Sequence, residues 1–124
     1  MASVRVEKLV KKYGDFTAVK GMDLSVEDGE FMVFLGPSGC GKTTTLRCIA
    51  GLEIPDGGVI RIGEREVTKE LPADRDIAFV FQSFSLYPHM TVKENLSFPL
   101  RAVKTPQKTI DERVAMAAKM LHIE

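Results

Sequence analysis

Residues Gly36-Pro37-Ser38-Gly39-Cys40-Gly41-Lys42-Thr43 fit the pattern G-x-x-x-x-G-K-T. Glycines at these spacings let successive backbone N–H groups turn inward around a chain of phosphates. The Lys42 ammonium can then reach the outer phosphates, and the Thr43 hydroxyl can hold a magnesium ion. A helix that begins at the end of such a loop points its positive dipole end at the same anion. The candidate phosphate-binding set is therefore Gly36, Pro37, Ser38, Gly39, Cys40, Gly41, Lys42, Thr43 and Thr44. The alternative is a glycine-rich turn without a ligand.

The motif demands a strand before it and a helix after it. Phe31-Met32-Val33-Phe34-Leu35 is continuously apolar, the pattern of a strand buried on both faces. Thr44–Ala50 places Leu46, Ile49 and Ala50 on one helical face, and Gly51 offers a stop. Upstream, Val4, Val6, Leu9 and Val10 predict a strand running to Tyr13, with a turn at Gly14-Asp15. Met22, Leu24 and Val26 alternate with Asp23 and Ser25, which predicts a half-exposed strand. Val59–Ile62 and Glu66-Val67 read as a hairpin closed by Gly63-Glu64-Arg65. Ile77–Phe81 reads as a second buried strand, ending at Gln82. Thr91-Val92-Lys93-Glu94 is a capping box that opens a helix, which Pro99 interrupts or ends. A last helix is predicted from about Thr109, with Ile110, Val114, Ala117 and Leu121 on one face and no stop signal before Glu124.

Composition narrows the possibilities. The 124 residues carry 17 Lys plus Arg against 17 Asp plus Glu, a formal net charge of zero. A dedicated nucleic-acid binder is usually basic, so none is expected as a partner. No apolar run has the length of a membrane span, and the N-terminus has no signal-peptide pattern. Cys40 and Cys48 read as small loop and helix residues rather than a disulfide framework, which suits a reducing, cytoplasmic location.

A phosphate-loop hydrolase also needs an acidic residue at the end of an apolar strand to hold magnesium. Ile77–Phe81 ends in Gln82 instead, and Val59–Ile62 runs into the turn residues Gly63 and Glu64. Gln82 can present its amide oxygen to a metal or a water, or can simply be a polar residue leaving a sheet. Tyr13 can stack on a purine ring, or can be an ordinary aromatic at a strand end. His89 and His122 carry no assigned chemistry. Arg47, Arg61, Arg65, Arg75, Arg101 and Arg113 are scattered, which weighs against a small-molecule kinase with a phosphate-gripping lid.

Tyr13, the Gly36–Thr43 loop, Ala50-Gly51-Leu52-Glu53 with Asp56-Gly57-Gly58, and Phe79-Val80-Phe81-Gln82 occur in an order that resembles the ATP-binding subunit of ABC transporters. Leu71–Ile77, Leu86–Val92 and Glu94-Asn95 are similar to the carbohydrate-importer type, the maltose and glycerol-3-phosphate subfamily. The resemblance implies an α/β P-loop ATPase core with an antiparallel β-subdomain and the start of a helical subdomain, truncated. Residues 1–90 would be the first part of the core and 91–124 the start of the helical subdomain. It implies ATP and Mg2+ as ligands, with Tyr13 at the base, Lys42 and Gln82 in catalysis, and Thr43 and Gln82 at the metal. It implies transmembrane permease partners contacted through Ser83–His89, a homodimer or heterodimer of ATP-binding subunits, and a place at the inner face of the membrane. The family's signature motif, Walker B strand, D-loop and switch histidine would all follow Glu124, so low ATPase activity is expected of these residues alone. The alternatives are a non-enzymatic fragment that has lost nucleotide binding and a P-loop small-molecule kinase.

Overall fold

A computed structural model describes residues 2–83 and 85–124. The chain divides into two units, one up to Phe79 and the other Val80–Glu124.

The first unit is built on an antiparallel sheet. Strand β1, Val4–Tyr13, pairs with β2, Phe16–Val26, on one edge and with β3, Gly57–Ile62, on the other. A two-residue strand, β4 at Arg65–Glu66, closes the hairpin from β3, giving the order β2-β1-β3-β4. The period-two pattern reads out as expected: Val19 is buried, Met22 and Leu24 half-buried, Asp23 and Ser25 exposed. The register slips between Val6 and Leu9, where Lys8 takes a positive φ and donates its N–H to the Asp23 carboxylate at 2.8 Å. That bulge lets both Val6 and Leu9 point inward although they are three residues apart.

Helix α1, Lys42–Ala50, covers the sheet. With Val6, Leu9, Val19, Ile60 and Val67 its Cys48 forms the core. Burial pushes the Cys48 thiol above its ordinary pKa, so it behaves as a small apolar group. The buried side of α1 is Thr45, Cys48 and Ala50, whereas Leu46 is about half exposed. The sequence placed Leu46 inward; its place is taken by smaller side chains that let α1 sit close to β1 and β2. Gly51 ends the helix as expected, at φ 77° with its N–H on the Arg47 and Cys48 carbonyls.

Two predicted strands do not form. Phe31–Leu35 lies outside the sheet, with Phe31 and Leu35 each 90% exposed. Ile77–Phe81 likewise lies outside any strand. A strand buried on both faces needs neighbours to pair with and layers above and below. Among the described residues no strand lies beside either run.

In the second unit, α2 spans Val92–Ala102 and α3 spans Gln107–Leu121. The capping box is complete: the Thr91 hydroxyl accepts from the Glu94 N–H at 3.2 Å, and the Glu94 carboxylate accepts from the Thr91 N–H at 2.7 Å. Pro99 does not stop the helix; α2 runs three residues past it to Ala102. On α3, Ile110 and Val114 are buried, Ala117 is half-buried and Leu121 is exposed. The helix does have a stop. His122 takes a left-handed conformation, φ 55°, and its N–H and that of Ile123 bond back to Lys119 and Ala118. Histidine tolerates that region better than most non-glycine residues, which is why no glycine marks the end.

Thr91→Ala should lower the stability of this unit by about 1 kcal/mol, the usual value of an N-cap, measured by denaturant titration of α2 helicity. The two bonds from Thr91 hold the Glu94 carboxylate below its ordinary pKa. Its contribution is therefore present above the unfolded carboxylate pKa and fades as pH falls through the lower folded value. The same titration run at decreasing pH should show that loss in the parent protein and not in Glu94→Gln.

Candidate functional site

The loop Gly36–Gly41 leads into the first turn of α1. Gly41 sits at φ 95°, and a Cβ there would lie 2.6 Å from the Ala18 carbonyl of β2. Only glycine lets the loop pass this close to the sheet. The first helical bond runs from the Thr45 N–H to the Gly41 carbonyl at 2.8 Å, which leaves the Lys42, Thr43 and Thr44 N–H groups outside the helical ladder. No acidic residue occupies that first turn. The positive end of the helix therefore faces the loop without a competing carboxylate.

Lys42 spans the loop from inside. Its ammonium donates to the Gly36 carbonyl at 2.6 Å and the Pro37 carbonyl at 2.8 Å, and lies 3.4 Å from the Cys40 sulfur. Gly36 and Cys40 are in turn close: a Cβ on Gly36 would lie 2.7 Å from that sulfur. Both cysteines are free thiols, as the sequence suggested; Cys40 is exposed and Cys48 buried.

Tyr13, at the end of β1, joins the loop. A cleft of about 290 Å³ is lined by Tyr13, Ser38, Gly39, Gly41, Lys42, Thr43 and Thr44, together with Phe16 and Ala18 of β2. Residues thirty positions apart thus share one concave surface. The Lys11 ammonium lies 5.2 Å from the Tyr13 ring centroid and is itself held by the Ile54 carbonyl at 2.9 Å, with Glu53 and Asp56 nearby. A cation over one ring face holds the ring in place and leaves the other for a partner.

Gln82 belongs to the second unit, where it is exposed in a bend. Of the run Ser83–His89, Phe84 lies outside the described residues. The Tyr87 ring packs on Phe98 at 4.8 Å between centroids, and its N–H donates to the Asn95 amide oxygen at 2.9 Å. The Asn95 amide nitrogen donates to the carbonyls of Tyr87, Met90 and Thr91, stapling the end of the loop to α2.

Phe16 and Ala18 carry no chemical signal in the sequence; they enter the cleft because the Gly14-Asp15 turn folds β2 back beside Tyr13. Arg75 is the other unanticipated residue. It is 2% exposed. Burial pulls its guanidinium below the ordinary pKa, against the opposing effect of Glu70.

Residues 19–124 match the family described as ABC transporter. The chain belongs to the ABC transporter family. It is 54% identical over 124 residues to the osmoprotective compounds uptake ATP-binding protein of Synechocystis sp., covering 100% of this chain and 34% of that protein. It is 55% identical to the trehalose/maltose import ATP-binding protein of Thermococcus litoralis, covering 98% of this chain and 34% of that protein. The sn-glycerol-3-phosphate import ATP-binding protein of Brucella abortus is 53% identical, covering 100% and 36%. The chain thus spans about a third of the length of these ABC transporter relatives. Its fold matches a dimeric ATP-binding cassette in a post-hydrolysis state bound to ADP and Pi, with TM-score 0.83 and 32% identity over 98% of this chain and 58% of that one. A nucleotide-free cassette from an ABC transporter matches with TM-score 0.79 and 26% identity, over 99% and 55%. The expected α/β ATPase-cassette fold, with its antiparallel sheet, is thereby established for the part of the domain that these residues form. Among the described residues no helix is long and apolar enough to cross a membrane.

Proposed function

We propose that this chain is the ATP-binding part of an importer for a sugar or a related solute. The observation that carries the reading is the cleft in which Tyr13 of β1 meets the Gly36–Thr43 loop and the first turn of α1. A base stacked on Tyr13 and phosphates seated on the loop amides and Lys42 would use one continuous surface. The named relatives take up osmoprotectants, trehalose or maltose, and glycerol-3-phosphate. Solutes so different served by such similar ATP-binding chains support a division of labour in which another subunit selects the solute.

Magnesium would arrive with the nucleotide. Among the described residues no cluster of three or more His, Cys, Asp or Glu could hold a metal alone. Thr43 is exposed in the first helical turn, and one hydroxyl combined with phosphate oxygens is a donor set that magnesium accepts. Thr43 and Gln82 are the proposed metal contacts, and Lys42 and Gln82 the residues proposed to act in hydrolysis. Residues 91–124 are assigned to the start of a helical subdomain, and Ser83–His89 to contact with permease subunits at the inner face of the membrane. Pairing of two ATP-binding subunits completes the reading. Among the described residues no apolar strand ends in an acidic residue, so these residues are expected to bind ATP and turn it over slowly.

Calorimetric titration with magnesium-ATP and, separately, magnesium tripolyphosphate tests the reading. Both should bind, and Tyr13→Ala should weaken ATP alone by about tenfold or more, the worth of one base-aromatic stack. Equal weakening of both ligands would remove Tyr13 from the base site. No binding of either would remove the function. Rapid phosphate release that Lys42→Ala abolishes would overturn the expectation of slow turnover.

A further inference from the structure

The Arg75 guanidinium spends all five of its N–H donors on backbone carbonyls. One terminal nitrogen donates to Cys48 at 2.8 Å and Ile49 at 2.9 Å, in the last turn of α1. The other donates to Thr68 at 3.3 Å and Glu70 at 2.9 Å, and Nε to Glu70 at 3.1 Å. No carboxylate takes part in these bonds. The segment that presents Arg75 is itself pinned, because Arg65 of β4 donates to the Asp74 carbonyl and the Glu70 carboxylate. The 3-10 turn Pro72–Asp74 then delivers residue 75 into the interior.

The opposite end of α1 is the phosphate loop. The helix is nine residues long, about 13 Å at the standard rise. A rod this short transmits any tilt at one end to the other. Its buried residues are the small Thr45, Cys48 and Ala50, with Ile49 half-buried against the core. Small side chains fix tilt and rotation less firmly than large ones, so a second anchor matters. A planar fork bonded to two carbonyls of the last turn sets both, and a cation there also complements the negative end of the dipole.

We propose that Arg75 is a positioning residue for the phosphate site: by clamping the C-terminal turn of α1 it holds the Lys42–Thr44 amides at the other end in line with the loop. The proposal rests on the nucleotide-binding reading for its consequence, but not for its geometry. Gly51 belongs to the same device. A Cβ there would lie 2.6 Å from Nε and 2.8 Å from the guanidinium carbon, so any side chain displaces the clamp.

The test compares the 124-residue chain with Arg75→Lys, Arg75→Met and Gly51→Ala, below the melting temperature of the weakest variant. Hydrogen exchange of individual amides is read first, without nucleotide. Arg75→Met should raise exchange at Lys42–Thr45 at least tenfold while the β1–β2 amides stay unchanged. Gly51→Ala should do the same with the arginine still present, and Arg75→Lys should lie between. Magnesium-ATP affinity should then fall at least tenfold in Arg75→Met. Unchanged exchange at Lys42–Thr45 in Arg75→Met would overturn the proposal, as would a lowered melting temperature with loop exchange and affinity both intact. Parent protein that binds no nucleotide would sink the functional reading alone, because the exchange comparison still decides the role of Arg75.

Discussion

Lys42→Ala should weaken magnesium-ATP binding by at least about a hundredfold, with little change in folding stability. The ammonium is placed inside the loop by the Gly36 and Pro37 carbonyls, and it lines the cleft beside Thr43 and Thr44. Hydrogen bonds to charged groups are worth about 1.5–3 kcal/mol each, so losing those to phosphate oxygens accounts for two decades of affinity. The carbonyls left behind belong to exposed residues, and water can replace the lysine there. Thermal melting with and without nucleotide separates the two effects. The parent should gain stability with millimolar ATP, since a ligand that binds only the folded state must raise it. Lys42→Ala should melt at the parent's temperature and gain nothing. An unchanged ATP-dependent shift would remove Lys42 from the site. Lys42→Arg should recover only part of the affinity, because the planar fork does not fit where a compact ammonium sits between two carbonyls.

Ile60→Ala should cost about 2–5 kcal/mol, the range for truncating a fully buried aliphatic side chain. Ile60 is fully buried at the centre of β3, among Val6, Leu9, Val19, Cys48 and Val67. Its backbone also ties two segments, donating to the Thr68 hydroxyl at 3.0 Å and accepting from the Val67 N–H at 2.9 Å. The surrounding sheet holds that backbone in place, so a void left by the side chain cannot readily collapse. Against a total stability on the order of 5–15 kcal/mol, the loss should be visible as a large fall in the denaturant midpoint. Phe31→Ala is the matched control. It removes a larger apolar group, but one that is 90% exposed, and should change stability by no more than about 0.5 kcal/mol. Comparable losses in the two variants would contradict this placement of the core.

That pair of residues shows where the sequence is readable and where it is not. In the sequence, Phe31 sits in a continuous apolar run and Ile60 in a short mixed one, so Phe31 looks the more deeply buried. Hydrophobicity records what a segment needs, not whether a neighbour is present to meet the need. The strands β1 to β4 form because their pairing partners all lie between Val4 and Glu66 and are joined by short turns or the single α1 excursion. Among the described residues, Phe31–Leu35 and Ile77–Phe81 lie outside the four-stranded sheet. Local signals fared better. The Thr91–Glu94 capping box and the Gly51 stop depend on backbone chemistry within a few residues, and both appear as the sequence implies. Pro99 is the local exception, because α2 continues through it.

The Gly36–Thr43 pattern was readable from eight residues: glycines for backbone approach, then a lysine and a threonine at the helix start, where the structure has them. The sequence by itself therefore determined the antiparallel strands and the family; the phosphate chemistry proposed for the loop follows from the same eight residues. Only the tertiary structure brought Tyr13, Phe16 and Ala18 to the same cleft, because that juxtaposition depends on how β1 and β2 cross the loop. Only it buried Arg75, one of several scattered arginines, against the far end of the loop's helix. An arginine's worth to a fold lies in which carbonyls surround it, and carbonyls have no letter in the sequence.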